Sequence, residues 1–166
     1  DLIVETVRLF RSNKTFKEKF QSNVKHILID EYQDTSTVQH ELLKEMTFTK
    51  AGKLTTDSLC IVGDEDQSIY SWRGATANNI INFKTDYPKA VTIKIEQNYR
   101  SVHPILETAN SVIKNNKNRN EKKLWSDRKA DKRILKVKCM SDYQESDIAV
   151  EAVKAAQHKK FSAAIL

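Results

Sequence analysis

The chain has 166 residues, room for one ordinary domain or parts of two, and 39% apolar against 30% charged residues. No run approaches the roughly 18–20 apolar residues that span a bilayer, and residues 1–5 lack the basic region and apolar core of a signal peptide, so a cytoplasmic protein with no membrane partner is expected. The net charge of +6 is uneven: residues 114–138 hold eleven Lys/Arg and three Asp/Glu, a pattern that suits a polyanion or a solvated helix and loop.

Apolar positions Ile3, Val7 and Phe10 predict a helix over 1–13, and a second short helix follows over 15–21. Residues 26–29 read as a strand leading into Asp30-Glu31. Thr35 or Ser36 is placed to cap a helix whose apolar face is Val38, Leu42, Leu43 and Met46. The polar stretch 47–57 ends it. A buried strand over 59–62 precedes a helix over about 75–83, which Tyr87-Pro88 closes. Residues 91–95 alternate as a strand, and Pro104 sits near the start of a helix carrying Ile105, Leu106, Ala109 and Ile113. A strand over 134–137, a helix around 148–156 and a strand over 163–166 complete the chain. Alternation of strands and helices argues for a parallel α/β sheet. Cys60, within the 59–62 strand, and Cys139 have no partners at metal-ligand spacing and read as reduced core thiols.

Two strand ends carry the chemistry. Ile27-Leu28-Ile29-Asp30-Glu31 sets two acids after an apolar run, the form in which one carboxylate holds magnesium and the next orients or deprotonates a water. A solvated turn after a strand has the same form. The segment 63–75, Gly-Asp-Glu-Asp-Gln-Ser-Ile-Tyr-Ser-Trp-Arg-Gly-Ala, follows the second strand. Carboxylates, an amide, two aromatics and an arginine at a strand's carboxyl end are where α/β sheets place ligand chemistry. Read from the residues alone, Gln67 equally caps the following helix, Tyr70 and Trp72 pack in a core, Tyr99 is a half-buried aromatic at a strand end, and Arg100 makes a surface ion pair.

Asp30-Glu31-Tyr32-Gln33-Asp34-Thr35 resembles helicase motif II of the UvrD/Rep/PcrA family of superfamily 1 DNA helicases. The segment 63–75 resembles motif III, and Glu96-Gln97-Asn98-Tyr99-Arg100-Ser101 resembles motif IV. Order, spacing and the flanks, including Lys123-Leu124-Trp125, extend the resemblance over nearly the whole chain. It implies RecA-like (P-loop NTPase) motor domains of parallel α/β class and the cofactors ATP and Mg²⁺. Asp30 would serve Mg²⁺, Glu31 would activate water, and Gln67 would sense the γ-phosphate. Tyr99 would stack on adenine, and Arg100 would reach the γ-phosphate from the second motor domain. Tyr70 and Trp72 would contact single-stranded DNA, where stacking contributes about 1–3 kcal/mol per base. Arg73 would either meet a DNA phosphate or tie motif III to its neighbours. Glu65-Asp66 and Trp72 resemble the UvrD/Rep/PcrA branch more than the recombination nuclease-helicases, which implies 3′-to-5′ movement, single-stranded DNA and single/double-strand junctions as partners, and a role in repair or replication.

No Gly-x-x-x-x-Gly-Lys-[Ser/Thr] occurs; Gly52-Lys53 fails because Thr47 stands at the first glycine position and Leu54 follows the lysine. The chain also lacks an initiator Met and stops within an apolar run. It therefore reads as a fragment: residues 1–23 the end of an inserted helical subdomain, 24–96 the back of the first motor domain, and 97–166 the front of the second. Such a fragment would hydrolyse no ATP alone. A non-hydrolysing DNA- or protein-binding relative and a subunit of a nuclease-helicase are the alternatives.

Overall fold

The helical spacing at the start of the chain folds as α1 (Leu2–Ser12) and α2 (Lys14–Asn23). Asp1 caps the first by accepting from the Ile3 amide, and Asn13 ends it and caps the second by accepting from Phe16. The computed structural model describes residues 1–117, 119–130 and 134–165, and its chain forms two units, Asp1–Arg128 and Lys129–Leu166.

In the first unit, α1 and α2 close on Phe10, whose ring meets Phe16 and Phe20 at 5.4 and 5.1 Å. The pair packs on α3 (Thr37–Thr47). Arg11 bridges Glu41 (2.6 Å) and Glu45 (2.7 Å), and Lys17, only 6% exposed, lies 2.7 Å from Glu45. Gln21 donates to the carbonyls of Glu45 and Phe48, satisfying acceptors that the end of α3 leaves open. Ser36 starts α3 with a reciprocal capping box to Gln39.

Helix α3 is the crossover between two parallel strands, β1 (His26–Ile29) and β2 (Ser58–Ile61), in register Ile27 to Leu59 and Ile29 to Ile61. These four side chains pack on a core of Tyr32, Leu43, Phe83 and Tyr87. Phe83 stacks on Tyr87 (4.4 Å), Tyr87 on Phe48 (4.9 Å), and Tyr32 meets Phe83 edge-on. The alternate positions, Leu28 and Cys60, are exposed. The expectation of a fully buried second strand with Cys60 as a core thiol is thus corrected. Among the described residues, packing covers only one face of these strands, and a two-residue period sends Cys60 to the other.

A polar relay threads this core. Tyr32 Oη meets His40 Nδ1 at 2.6 Å, His40 Nε2 meets Asp86 Oδ2 at 2.8 Å, and Lys44 closes on Asp86 Oδ1 at 3.0 Å. Burial drives the Tyr32 hydroxyl well above its ordinary value, and burial pushes Tyr87 up to about 12 although Thr47 hydrogen-bonds it. Asp86 ends the second of two short helices, α4 (Asn78–Ile81) and α5 (Phe83–Asp86). One helix over 75–83 was expected. Instead Ala75 bridges Ser36 and Thr76 donates to Thr35, so helix cannot begin before them, and Asn82 leaves helical geometry between the two pieces.

Beyond Tyr87 the unit holds one longer helix, α6 (His103–Ile113), with Pro104 in its first turn. Asn110 clamps the returning chain, donating to the Leu124 carbonyl and accepting from its amide. Residues 91–95 form no strand; Val91, Ile93 and Ile95 are exposed. The expected strand over 134–137 is likewise absent in the second unit, as is one over 163–165; Leu166 lies outside the described residues. Alternation or an apolar run gives β propensity, but a strand needs a neighbour to complete its backbone hydrogen bonds, and none pairs with these segments among the described residues. The second unit contains α7 (Asp142–His158), which starts six residues before the expected 148 because Ser141 caps it by accepting from Gln144.

The ends of β1 and β2 are joined backbone to backbone: Val62 donates to Ile29, and Tyr32 to Val62. Gln33 is buried at this junction, and its Oε1 accepts from the Asp64 amide. A Cβ on Gly63 would stand 2.5 Å from Gln33 Oε1 and 3.1 Å from the Tyr32 nitrogen. Gly63→Ala is therefore expected to lower stability by about 1–3 kcal/mol in urea unfolding, because Gln33 must give way. Glu45→Ala is expected to cost about 3 kcal/mol in the same measurement, since it leaves the Lys17 cation buried; replacing Lys17 and Glu45 together by Met and Leu costs less.

Candidate nucleotide and nucleic-acid site

Asp30 and Glu31 occupy the turn that leaves β1, and both are exposed. Asp30 Oδ1 accepts from the Glu31 amide at 2.9 Å. Glu31 itself adopts a left-handed backbone, φ 50° and ψ 43°, a conformation that costs a non-glycine residue about 1–2 kcal/mol. Its carboxylate is held in turn: Gln33 Nε2 donates to Glu31 Oε2 at 2.8 Å and, more weakly, to Asp34 Oδ2 at 3.3 Å.

From Gln33 the contacts continue into the second strand's exit. Gln33 Oε1 accepts from the Asp64 amide (3.0 Å), and Asp64 Oδ2 accepts from Gln67 Nε2 (2.8 Å). Ser68 Oγ donates back to the Gln33 carbonyl. Glu31, Gln33, Asp64 and Gln67 thus form one hydrogen-bonded path across both strand ends. Gln67 caps no following helix: Tyr70 and Ala77 stand at the N-caps of Ser71–Arg73 and Asn78–Ile81, and Asp64 caps the one-turn helix Glu65–Gln67 by accepting from Asp66.

The path leads to an aromatic platform. Tyr70 stands at the N-cap of the one-turn helix Ser71–Arg73, Trp72 lies within it, and Trp72 is 72% exposed. Their rings stand 6.5 Å apart, and the Arg73 guanidinium lies 4.4 Å from the Trp72 centroid and 5.2 Å from that of Tyr70. Such a cation over exposed rings contributes about 0.5–1 kcal/mol and holds both faces in place. Core packing of these two aromatics is corrected by their exposure. Gly74 follows at φ 86°, which reverses the chain and brings Ala75 onto Ser36.

Tyr99 and Arg100 are held on a separate scaffold. Gln97 pairs with Trp125, Asn98 Oδ1 accepts from the Arg100 and Ser101 amides, and Arg128 donates to the carbonyls of Tyr99 and Arg100. The Tyr99 ring is exposed, with its hydroxyl donating to Gln97. Among the described residues the Arg100 guanidinium forms no ion pair, which corrects the surface ion-pair alternative. No hydrogen bond or ion pair joins Tyr99 or Arg100 to Glu31 or Gln67.

Three contributors escape a reading residue by residue: Gln33, Asp64 and the group of Asn116, Arg119, Asn120 and Lys122. Gln33 lay inside the quoted motif, and its burial beside Gly63 is the signal that marks it. The basic stretch is also divided. Lys122 reaches Asp64 at 2.7 Å, Arg119 reaches Asp66 at 2.8 Å, and Arg128 faces backbone carbonyls, so these cations do not form one outward face with Lys117 and Lys123. Residues 131–133 of that stretch lie outside the described residues.

Among the described residues no three His, Cys, Asp or Glu side chains converge as a metal cage, and no helix is long and apolar enough to cross a membrane. The family model described as UvrD/REP helicase N-terminal domain matches residues 1–88, and that described as UvrD-like helicase C-terminal domain matches 93–166. A probable DNA helicase II homolog of Rickettsia felis is 42% identical over 164 residues, 98% of this chain and 24% of that protein. The ATP-dependent DNA helicase PcrA of Staphylococcus epidermidis is 42% identical over the same length, covering 22% of that protein, and PcrA of Staphylococcus aureus is 42% identical over 153 residues. The chain spans about a quarter of the length of these relatives. With motifs in order, a parallel strand pair that positions them, and both family models matched, the chain belongs to the UvrD/Rep helicase family.

Proposed function

We propose that this chain is the central part of an ATP-driven DNA helicase that moves 3′ to 5′ on single-stranded DNA and opens duplex at junctions, in repair or replication. The observation that carries the reading is the continuous path from Glu31 through Gln33 and Asp64 to Gln67, a few residues before the Tyr70–Trp72–Arg73 platform. The path from a carboxylate suited to water activation thereby ends one short stretch of chain before a stacking surface for bases, the hydrogen bonds reaching Gln67 and the platform beginning at Tyr70.

The residues fit the cofactors. Asp30 Oδ1 is engaged by a backbone amide and Oδ2 is free among the described residues. Magnesium takes one or two carboxylates and fills its octahedron with waters and phosphate oxygens, so a lone strand-end aspartate suits it when nucleotide is present. The ion would neutralise charge on the phosphates. Glu31, oriented by Gln33, would take a proton from the attacking water, and Gln67, oriented by Asp64, would face the γ-phosphate. Tyr99 offers an exposed ring for adenine, and the Arg100 guanidinium, without an ion pair among the described residues, would stabilise charge developing on phosphoryl transfer. Tyr70 and Trp72 would stack on bases without reading sequence.

In domain terms, residues 24–96 would be the back of a first RecA-like motor domain, 97–166 the front of a second, and 1–23 the end of an inserted helical subdomain. A phosphate-cradling loop would come from outside this sequence. In the longer protein, Glu31→Gln is expected to reduce DNA-stimulated ATP turnover about 100-fold or more while leaving ATP binding within about twofold. Undiminished turnover would remove Glu31 from this role. The 166-residue chain alone is expected to show no DNA-stimulated ATP hydrolysis, and robust turnover from it would overturn the fragment reading.

A further inference from the structure

Asp64, Glu65 and Asp66 place three carboxylates in succession on one turn, and the turn is largely buried: Glu65 and Asp66 side chains are each 6% exposed. Adjacent buried carboxylates repel one another and lose hydration, so the turn holds its shape only if cations neutralise it. They come from a segment more than fifty residues away. Lys122 Nζ lies 2.7 Å from Asp64, 3.3 Å from Glu65 and 3.4 Å from Asp66, at the centre of the three. Arg119 lies 2.8 Å from Asp66, the Asn120 amide donates to Glu65 (2.7 Å), and the Asn116 side chain donates to Asp66 (3.3 Å). Burial pushes Asp64 up, but hydrogen bonds from Lys122 and Gln67 outweigh it and keep the carboxyl below its ordinary value.

The two sides of this clasp lie in different family spans. The acidic turn belongs to the stretch matched by the N-terminal helicase model, and residues 116–122 to the stretch matched by the C-terminal one. Asp64 is shared: one oxygen meets Lys122, and the other accepts from Gln67. We infer that Lys122, with Arg119, is a positioning residue that clamps the acidic turn and, through Asp64, sets the orientation of Gln67. The C-terminal span thereby reports its position to the nucleotide-facing turn of the N-terminal span. The inference rests on the proposed role of Gln67 toward ATP.

Lys122 touches no reacting atom, so the test separates geometry from turnover. In the 166-residue chain, Lys122→Gln is expected to speed hydrogen exchange at the Asp66 and Gln67 amides about tenfold or more, because a charge-assisted contact is lost, while Lys122→Arg keeps it within about threefold. Far-UV circular dichroism of both variants, matching that of the unaltered chain, checks that they fold. In the longer protein, Lys122→Gln is expected to lower kcat of DNA-stimulated ATP hydrolysis about 3- to 30-fold with KM for ATP within about twofold, and Lys122→Arg to restore it. Unchanged exchange in Lys122→Gln would overturn the clamp, whatever the turnover. A fall in kcat for Gln67→Ala but not for Lys122→Gln would overturn the positioning role and leave the helicase reading intact. Full kcat in both would overturn the ATP-facing role of Gln67, and this role of Lys122 with it.

Discussion

A single buried amide holds the candidate site together. Gln33 sits where β1 and β2 end, and its two polar atoms face opposite loops: Nε2 toward the Glu31 carboxylate, Oε1 toward the Asp64 amide. A buried amide left unpaired costs about 1–3 kcal/mol, so each loop is constrained to the position that satisfies Gln33. Gly63 makes the approach possible, since any side chain there would occupy the space of Gln33 Oε1. The left-handed backbone of Glu31 belongs to the same constraint. Strain of this kind persists only where surrounding contacts over-determine the conformation, and Glu31 is held by Gln33 and by the hydrogen bond its amide donates to the Asp30 carboxylate.

Charge is distributed by the fold in a way that composition conceals. The basic stretch averages to a polyanion-binding patch, yet Lys122 and Arg119 turn inward to an acidic turn that would otherwise repel itself. The same logic operates at the other side of α3, where Lys17 and Arg11 converge on Glu45 and fix the first two helices. In both places a buried cation contributes geometry more than net stability, because desolvation offsets much of the attraction. Aromatic residues divide likewise. Tyr32, Phe83 and Tyr87 stack inside, whereas Tyr70 and Trp72 are left at the surface with Arg73 laid over them.

Legibility followed the range of the interactions. The bounds of helix α3 were readable to within a residue or two because a candidate cap at Thr35 or Ser36 and the polar stretch after it are local. Of the expected face Val38, Leu42, Leu43 and Met46, however, only Leu43 is fully buried; Val38 is exposed, and His40 and Thr47 turn inward to Tyr32, Asp86 and Tyr87. Strand β1 was readable because an apolar run ended in two acids. The segment 91–95 has the alternation of a strand and 134–137 is rich in Ile, Leu and Val, but a strand is a property of two segments, and the partner is not encoded in either. Gln33 and Asp64 looked like minor letters within recognised motifs, since their importance comes from a contact between positions 31 residues apart.

By itself, the sequence determined the family, through three motifs in order, and with it the candidate roles of Asp30, Glu31, Gln67, Tyr70, Trp72, Arg73, Tyr99 and Arg100. It narrowed the cap of α3 to Thr35 or Ser36 and marked Val7 and Phe10 as the buried face of α1. Only the tertiary structure decided that Glu31 and Gln67 are joined through Gln33 and Asp64, that Cys60 points outward, and that Lys122 neutralises the acidic turn rather than facing solvent. The physical reason is common to all three. Residue type and spacing specify what a side chain is able to do, whereas burial and long-range pairing select which of those options is the lowest in free energy.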